Sequence, residues 1–107
     1  MKNLANMMKT AQEMQAKMGE VQARLEATEV SGASGGGLVK VTMTAKGSMR
    51  RVQIDPSLVV PADVGVLEDL IVAASNDARA KGEALVQEET QKIMGGLSLP
   101  PGIKLPF

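Results

Sequence analysis

Apolar residues recur at alternating steps of three and four along the first quarter of the chain, the spacing of one face of an α-helix. No proline interrupts this segment, and Gly19 is the only weak helix former between Leu4 and Glu26. The spacing predicts a helix over residues 1–28 with a narrow heptad seam, as in helices that pack against another helix. The predicted seam consists of Leu4, Met7, Ala11, Met14, Met18, Val21 and Leu25.

The next part of the chain, residues 28–54, has the alternating pattern of a β-sheet. Residues 38–46 (LVKVTMTAK) place valine, methionine and alanine on one face and lysine and threonine on the other. Residues 48–54 (SMRRVQI) continue as a second strand after a tight turn at Lys46-Gly47-Ser48. Residues 28–32 (TEVSG) are the weaker candidate for a preceding strand, which a glycine-rich stretch would join to residues 38–46. We therefore expect three antiparallel strands.

A second helix is predicted over residues 61–94. Pro61 suits its first turn, Asp63 suits the positive end of its dipole, and Gly95-Gly96 ends it. The tail over residues 95–107 contains LSLPPGIKLPF, whose prolines predict an extended segment. The predicted buried stripe of the helix consists of Val64, Leu67, Ile71, Ala74, Ala78 and Leu85.

These elements give a single domain over residues 1–107 of the α/β (α+β) class, with a long helix, a three-stranded antiparallel sheet, a second long helix and a tail. A helix of 28 residues is about 42 Å long. A compact domain of this size has a radius of gyration of only about 13 Å. We therefore expect the helices to overhang their sheet, so that the seam needs the second helix or a second copy of the chain as a partner.

The stretch SGASGGG at residues 31–37 raises the possibility of a phosphate-binding loop. Gly32 and Gly37 have the spacing of a P-loop, but Leu38-Val39 stands where Lys-Ser/Thr is needed, and a strand follows instead of a helix. A loop that needs positive φ angles or a close backbone approach is the better interpretation.

The composition leaves little chemistry for catalysis. The chain has no histidine and no cysteine, and its carboxylates do not pair around a nucleophile. We therefore expect no enzyme, catalytic residue, metal site, cofactor or small-molecule substrate. No apolar run approaches the roughly 20 residues of a membrane span, so we expect a cytoplasmic protein.

The net charge of zero conceals an uneven distribution. Residues 1–54 carry eight basic and four acidic groups, and residues 55–107 carry four basic and eight acidic groups. Residues 30–54 contain no acid, and their basic groups are Lys40, Lys46, Arg50 and Arg51. These four either keep a sheet edge soluble or contact nucleic-acid phosphates. Without an aromatic platform for stacked bases, duplex DNA is the nucleic acid expected in the second case.

Five stretches together resemble the YbaB/EbfC family of bacterial nucleoid-associated proteins. They are MKNLANMMKTAQEMQAKM, GASGGGLVKVTMTAKG, IDPSL, LEDLIVAASNDA and MGGLSLPPGIKLPF, and they cover nearly the whole chain. The resemblance implies a homodimer with a central sheet and projecting helical arms that binds double-stranded DNA. It further implies a place in the nucleoid and a role in chromosome organisation and gene regulation.

The helical arms of the family are implicated in DNA binding, which would map here onto Lys2, Lys9, Lys17 and Arg24, and onto Arg79 and Lys81. Glutamates four residues before Lys17 and Arg24 predict ion pairs that weaken the local field. We therefore rank Lys2 and Lys9 first among the arm residues. The alternative function is a dimeric protein-interaction module that docks a partner through its arms or its LPPGIKLPF tail.

Overall fold

The computed structural model of the chain describes residues 2–95, with side chains over residues 3–93. It confirms the predicted order of helix, three antiparallel strands and helix, while the predicted tail lies outside the described residues from residue 96 onward. The helices and strands are α1 (Lys2–Ala27), β1 (Glu29–Ser34), β2 (Val39–Thr44), β3 (Met49–Ile54) and α2 (Val64–Gly95).

The three strands form one sheet in the order β1-β2-β3, and α2 covers one of its faces. Val41 in the central strand lies between Gly32 of β1 and Val52 of β3. The alternation predicted for β2 is confirmed, because its apolar side chains pack with Ala74 and Ala78 of α2 in the core. On the opposite face Thr44 is also buried, and its Oγ1 accepts the N–H of Ser48 at 3.1 Å, which helps to close the hairpin.

The glycine-rich stretch is divided between a strand and a turn. The prediction that the first strand ends at residue 32 was wrong, because β1 continues to Ser34. A Cβ added to Gly32 would lie 2.2 Å from the backbone nitrogen of Ala78, so only glycine allows α2 to approach the sheet here. The turn Gly35–Gly37 follows, and all three of its glycines have positive φ angles.

The second helix begins later than predicted. Pro61–Asp63 form a short 3₁₀ turn, and the α-helix begins at Val64. Val64 is 55% exposed and does not belong to the buried stripe, because Leu67, one turn later, is the first residue of α2 that packs against the core. Leu67, Ile71, Ala74, Ala78 and Leu85 all contribute to buried clusters as predicted.

Helix α1 is attached to the rest of the molecule near its C-terminal end. Val21 and Leu25 form a cluster with Ala45, against which Leu85 and Ile93 of α2 pack. The beginning of the predicted seam is uncovered among the described residues, since Leu4, Met7 and Ala11 are exposed. The described part of the chain measures 72 × 25 × 16 Å, and its radius of gyration is 20.0 Å. The predicted overhang is confirmed.

Candidate nucleic-acid interface

Three basic residues lie at or next to the tip of the β2–β3 hairpin. Lys46 and Arg50 flank Gly47, which has a φ of +102°. A Cβ added to Gly47 would lie 3.9 Å from Nη1 of Arg79, so the guanidinium of α2 lies beside the turn. We call Lys46, Arg50 and Arg79 the hairpin cluster. None of the three forms an ion pair with a carboxylate among the described residues, and the Nζ of Lys46 donates to Oε1 of Gln22.

The backbone of β3 explains the exposed position of Arg50. The pairing of β2 with β3 passes from Thr42–Arg51 to Met43–Met49, so Arg50 is an extra residue with no partner in β2. Such a β-bulge bends its strand and redirects side chains. Arg50 is exposed beside the hairpin turn as a result.

The other two basic residues of the acid-free block lie apart from the hairpin cluster. Arg51 is in the middle of β3, and its Nη2 contacts Oε1 of Glu29 at 3.1 Å across the sheet. Lys40 lies at the far end of β2, where it lines a shallow recess of about 240 Å³ together with Gln53 and Asp55. The structure therefore brings together Lys46 and Arg50, but places Lys40 and Arg51 elsewhere on the sheet.

The predicted arm residues have different surroundings. Lys9 and Lys17 are exposed, and neither forms an ion pair with another described residue. Lys2 begins α1, and its side chain lies outside the described part.

The predicted pair of Arg24 with Glu20 was wrong, because Arg24 bridges to Glu89 of α2 instead. The side chain of Glu89 is only 18% exposed, so this ion pair between the helices is better shielded from water than a pair along one helix. The pair of Lys17 with Glu13 is likewise not formed among the described residues.

Lys81 has a structural role that its position in the sequence does not indicate. Oδ2 of Asp77 accepts the N–H of Ala33 at 3.0 Å and contacts Nζ of Lys81 at 3.2 Å. Nζ of Lys81 also donates to the carbonyl oxygen of Ser31 at 3.2 Å. The hydrogen bond from Ala33, followed by that from Lys81, holds the pKa of Asp77 below its ordinary value. The spacing of Asp77 and Lys81 indicates their ion pair, but only the fold shows that both reach the edge of β1.

Within residues 2–95 there is no cluster of three or more acidic, histidine or cysteine side chains that could hold a metal ion. In this range neither helix has the length and apolar character required to cross a membrane.

The chain is similar to known proteins both in its fold and in its sequence. The crystal structure of an uncharacterized protein from Helicobacter pylori has the same fold, with a TM-score of 0.74, 22% sequence identity, and coverage of 83% of this chain and 94% of that chain. A nucleoid-associated protein of Granulibacter bethesdensis is 59% identical over the full length of both chains. One from Paramagnetospirillum magneticum is 60% identical, also over both full lengths. Residues 1–97 match the sequence profile of the YbaB/EbfC DNA-binding family, and the chain therefore belongs to that family.

Proposed function

We propose that this protein binds double-stranded DNA as a homodimer, through contacts between basic side chains and the phosphate backbone. Family membership supports DNA as the partner. The observation that carries the proposed mechanism is the hairpin cluster, because its three cations lack carboxylate partners among the described residues. The three like charges belong to residues at or next to one turn, where a bound phosphate would neutralise them.

The remaining cations divide into two groups under this proposal. Lys40, Lys9 and Lys17 are exposed without ion pairs among the described residues, and they supply further contacts as the duplex extends from the hairpin. Lys2 belongs with this group by its position at the start of α1. Arg24 and Arg51 contribute less, because Glu89 and Glu29 offset their charges.

The proposed contacts are with the backbone and not with bases. The only aromatic residue is Phe107, so the chain has no platform on which unpaired bases could stack. A homodimer doubles the set of cations while its net charge stays at zero. We therefore expect modest affinity that depends strongly on salt.

The cellular role follows from the same proposal. Relatives of 59% and 60% identity carry the name nucleoid-associated protein. We place this chain likewise at the nucleoid in the cytoplasm, where phosphate contacts without base readout would organise the chromosome and influence transcription over many sites.

The experiment is a titration of a fluorescently labelled duplex with purified protein, followed by anisotropy at several salt concentrations. Each phosphate contact adds about 0.9 to the slope of log K against log salt. The triple variant Lys46→Ala/Arg50→Ala/Arg79→Ala should reduce the slope of the dimer by about 2 or more. The matched control is Lys92→Ala, which removes a cation already paired with Glu88 and Glu89.

Two results would contradict the proposal in different ways. Absence of saturable binding at low salt would overturn direct DNA binding. Binding with an unchanged slope in the triple variant would move the contact surface away from the hairpin, and Lys9→Ala/Lys17→Ala would then test the arms.

A second candidate function, a protein-interaction module, is favoured by the uncovered end of α1. Leu4, Met7 and Met8 are large apolar side chains that are more than half exposed. The variant Leu4→Ser/Met7→Ser and a chain truncated after Met94 separate the two functions. If both variants still bind DNA and one of them no longer binds a protein partner, the segment changed in that variant is the docking site for the partner.

A further inference from the structure

The apolar seam of α1 is covered along only part of its length. Burial falls from the C-terminal to the N-terminal end of the seam, in the order Leu25 and Val21 (buried), Met18 and Met14 (half-buried), and Ala11, Met7 and Leu4 (exposed). The heptad spacing nevertheless continues without a break to Leu4. An apolar stripe on one side of a helix normally packs against another element. The first part of the seam therefore lacks its partner among the described residues.

Helix α2 covers the other part of the seam and runs antiparallel to α1. A Cβ added to Gly82 would lie 2.9 Å from the carbonyl oxygen of Ala45. The N–H of Ala45 donates to the carbonyl of Thr28, the residue that follows α1. Glu89, farther along α2, bridges to Arg24. As α2 leaves the sheet, it thus follows α1 back toward the N-terminus.

The described end of α2 lies beside the middle of α1. About 20 Å of helix separate Gly82 from Gly95 at 1.5 Å per residue. The same length, measured back along α1 from Thr28, reaches Gln15. This position agrees with the half-buried state of Met14. The uncovered part of the seam begins just beyond it, and the chain that follows Gly95 starts at the same level.

The tail that follows α2 is long enough to cover the rest of the seam. It consists of residues 96–107 (GLSLPPGIKLPF), with Lys104 as its one charged side chain. These twelve residues, when extended, reach about 40 Å. The seam from Met14 to Leu4 is only about 15 Å long. The tail is therefore apolar, begins beside the uncovered seam and exceeds it in length.

The first apolar residues of the tail alternate with a polar one. Leu97 and Leu99 share one face of an extended chain, and Ser98 lies on the other. Pro100 and Pro101 favour an extended backbone at the residue before each of them. Neither proline has an N–H, so this segment places fewer unpaired donors against an apolar surface. The pattern is typical of a chain with one apolar side and one solvated side.

The spacing of the tail matches the spacing of the seam. Two residues of extended chain advance about 6.6 Å, and four residues of helix advance about 6 Å. Leu97 and Leu99 are two residues apart, which suits the four-residue step of the seam from Ala11 back to Met7. A tail that starts at the end of α2 brings Leu97 beside Ala11. Its next apolar residue, Leu99, then lies beside Met7.

We propose that the tail docks on the uncovered seam of its own chain. Leu97 packs on Ala11 in this arrangement. Leu99 packs on Met7. The occupant is the same chain's tail and not another molecule, because its attachment at Gly95 holds it at an effective concentration on the order of millimolar. The entropy of ordering the tail offsets much of the gain from burial, so docking should change the exposure of Met7 more than the free energy of unfolding.

Docking of the tail concerns a different side of α1 from the one proposed for DNA. Lys9 is two residues after Met7, a rotation of about 200° around the helix, so it stays in water when the seam is covered. Failure of this proposal would leave the proposed DNA contacts unchanged. The seam and the tail, in contrast, become a single site in the second candidate function. A protein partner that docks on either one must first separate them.

Oxidation of methionine by dilute hydrogen peroxide tests the contact in the full chain. Met7 is 67% exposed and Met8 is 58% exposed, so without docking Met7 should oxidise at least as fast as its neighbour. A tail that is docked about half of the time or more should slow Met7 about twofold or more relative to Met8. Tandem mass spectrometry of the tryptic peptide over residues 3–9 measures both rates.

The variant Leu97→Ser/Leu99→Ser keeps the full chain and removes the apolar face of the tail. In this variant the oxidation rate of Met7 should rise to that of Met8 or above it. Circular dichroism checks that the fold is retained. Equal oxidation of Met7 and Met8 in the wild type, or the same protection of Met7 in the variant, would overturn the proposal.

A pair of cysteines tests the register and the identity of the occupant, because the chain has no cysteine of its own. Under mild oxidation, Met7→Cys/Leu99→Cys should form an intramolecular disulfide several-fold faster than the control Lys9→Cys/Leu99→Cys, in which the α1 position faces the other way. Equal rates would show an undocked tail and overturn the contact. Covalent dimers in place of the intramolecular product would assign the seam to the tail of a second copy, which overturns docking within one chain.

Discussion

The carboxylate of Asp77 accepts the backbone N–H of Ala33 at 3.0 Å and so fixes the middle of α2 to the outer strand of the sheet. Lys81, one turn later, occupies the next outward carbonyl, that of Ser31. The two side chains take the place that a fourth strand would occupy. The β1 edge is thereby closed to pairing, which directs any strand addition to β3.

Acid should weaken this cap. Because the pKa of Asp77 is lowered in the folded chain, its contribution to stability is complete above the ordinary value of 3.8 and is lost as the pH falls through the lowered pKa. Asp77→Asn should melt at a lower temperature than the wild type at neutral pH, and the two melting temperatures should converge in acid. Thermal unfolding at about pH 7 and about pH 3 measures the difference. A constant difference at both pH values would contradict the role of the charge.

The close approach of α2 to β1 should make position 32 intolerant of any side chain. A Cβ on Gly32 would meet the backbone of Ala78 at 2.2 Å and that of Ala74 at 2.3 Å, and neither backbone atom can move independently. Gly32→Ala should cost about 3 kcal/mol or more in the free energy of unfolding. Denaturant titration measures this cost.

The matched control is Gly19→Ala, because a Cβ on this glycine of α1 meets nothing within 4 Å. It should raise the free energy of unfolding by about 0.5–1 kcal/mol. Equal effects of the two substitutions would show that α2 does not approach β1 as described.

The residues of the heptad seam should contribute unequally to the free energy of unfolding along α1. Leu25 is 2% exposed in the cluster with Ala45, and Leu25→Ala should cost about 2–5 kcal/mol. Met7 belongs to the same seam but is 67% exposed, and Met7→Ala should change stability by less than about 0.5 kcal/mol in the monomer. A large, concentration-dependent cost of Met7→Ala would instead show that the seam is covered by another chain.

Arg24 should contribute more to the stability of the contact between α1 and α2 than to DNA binding. Its guanidinium bridges to Glu89, so Arg24→Gln should lower the stability of the α1–α2 contact by about 1 kcal/mol. The salt slope of DNA binding should remain within experimental error of the wild type. A slope smaller by about 0.9 per subunit would show that Arg24 exchanges Glu89 for a phosphate.

Local patterns predicted most of the fold. The alternation in β2 and the heptad spacing of α1 each identify an element and its apolar face, because both depend on neighbours along the chain. The boundary of β1 was misjudged, since glycine and serine in SGASGGG are typical of a loop. Gly32 lies in a strand because α2 approaches it, and that contact joins residues more than 40 positions apart.

The site was less predictable for the same reason. Sequence spacing assigned Arg24 to Glu20, whereas its partner is Glu89 on the other helix. Spacing also separated Arg79 from Lys46 and Arg50, although the fold places Arg79 beside Gly47. Tertiary packing determines which charged residues form pairs, and the spacing of residues along the sequence does not contain that information.

Helix α1 is attached through its last two turns, so a small rotation at this attachment produces a large displacement at the other end of the helix. About 28 Å of helix separate Val21 from Lys2 at 1.5 Å per residue. A rotation of 10° about the contact of Val21 and Leu25 would therefore displace the tip by about 5 Å. In the proposed homodimer, small repacking against Leu85 and Ile93 would therefore change the gap between the two arms, although that contact lies far from the tips of the arms.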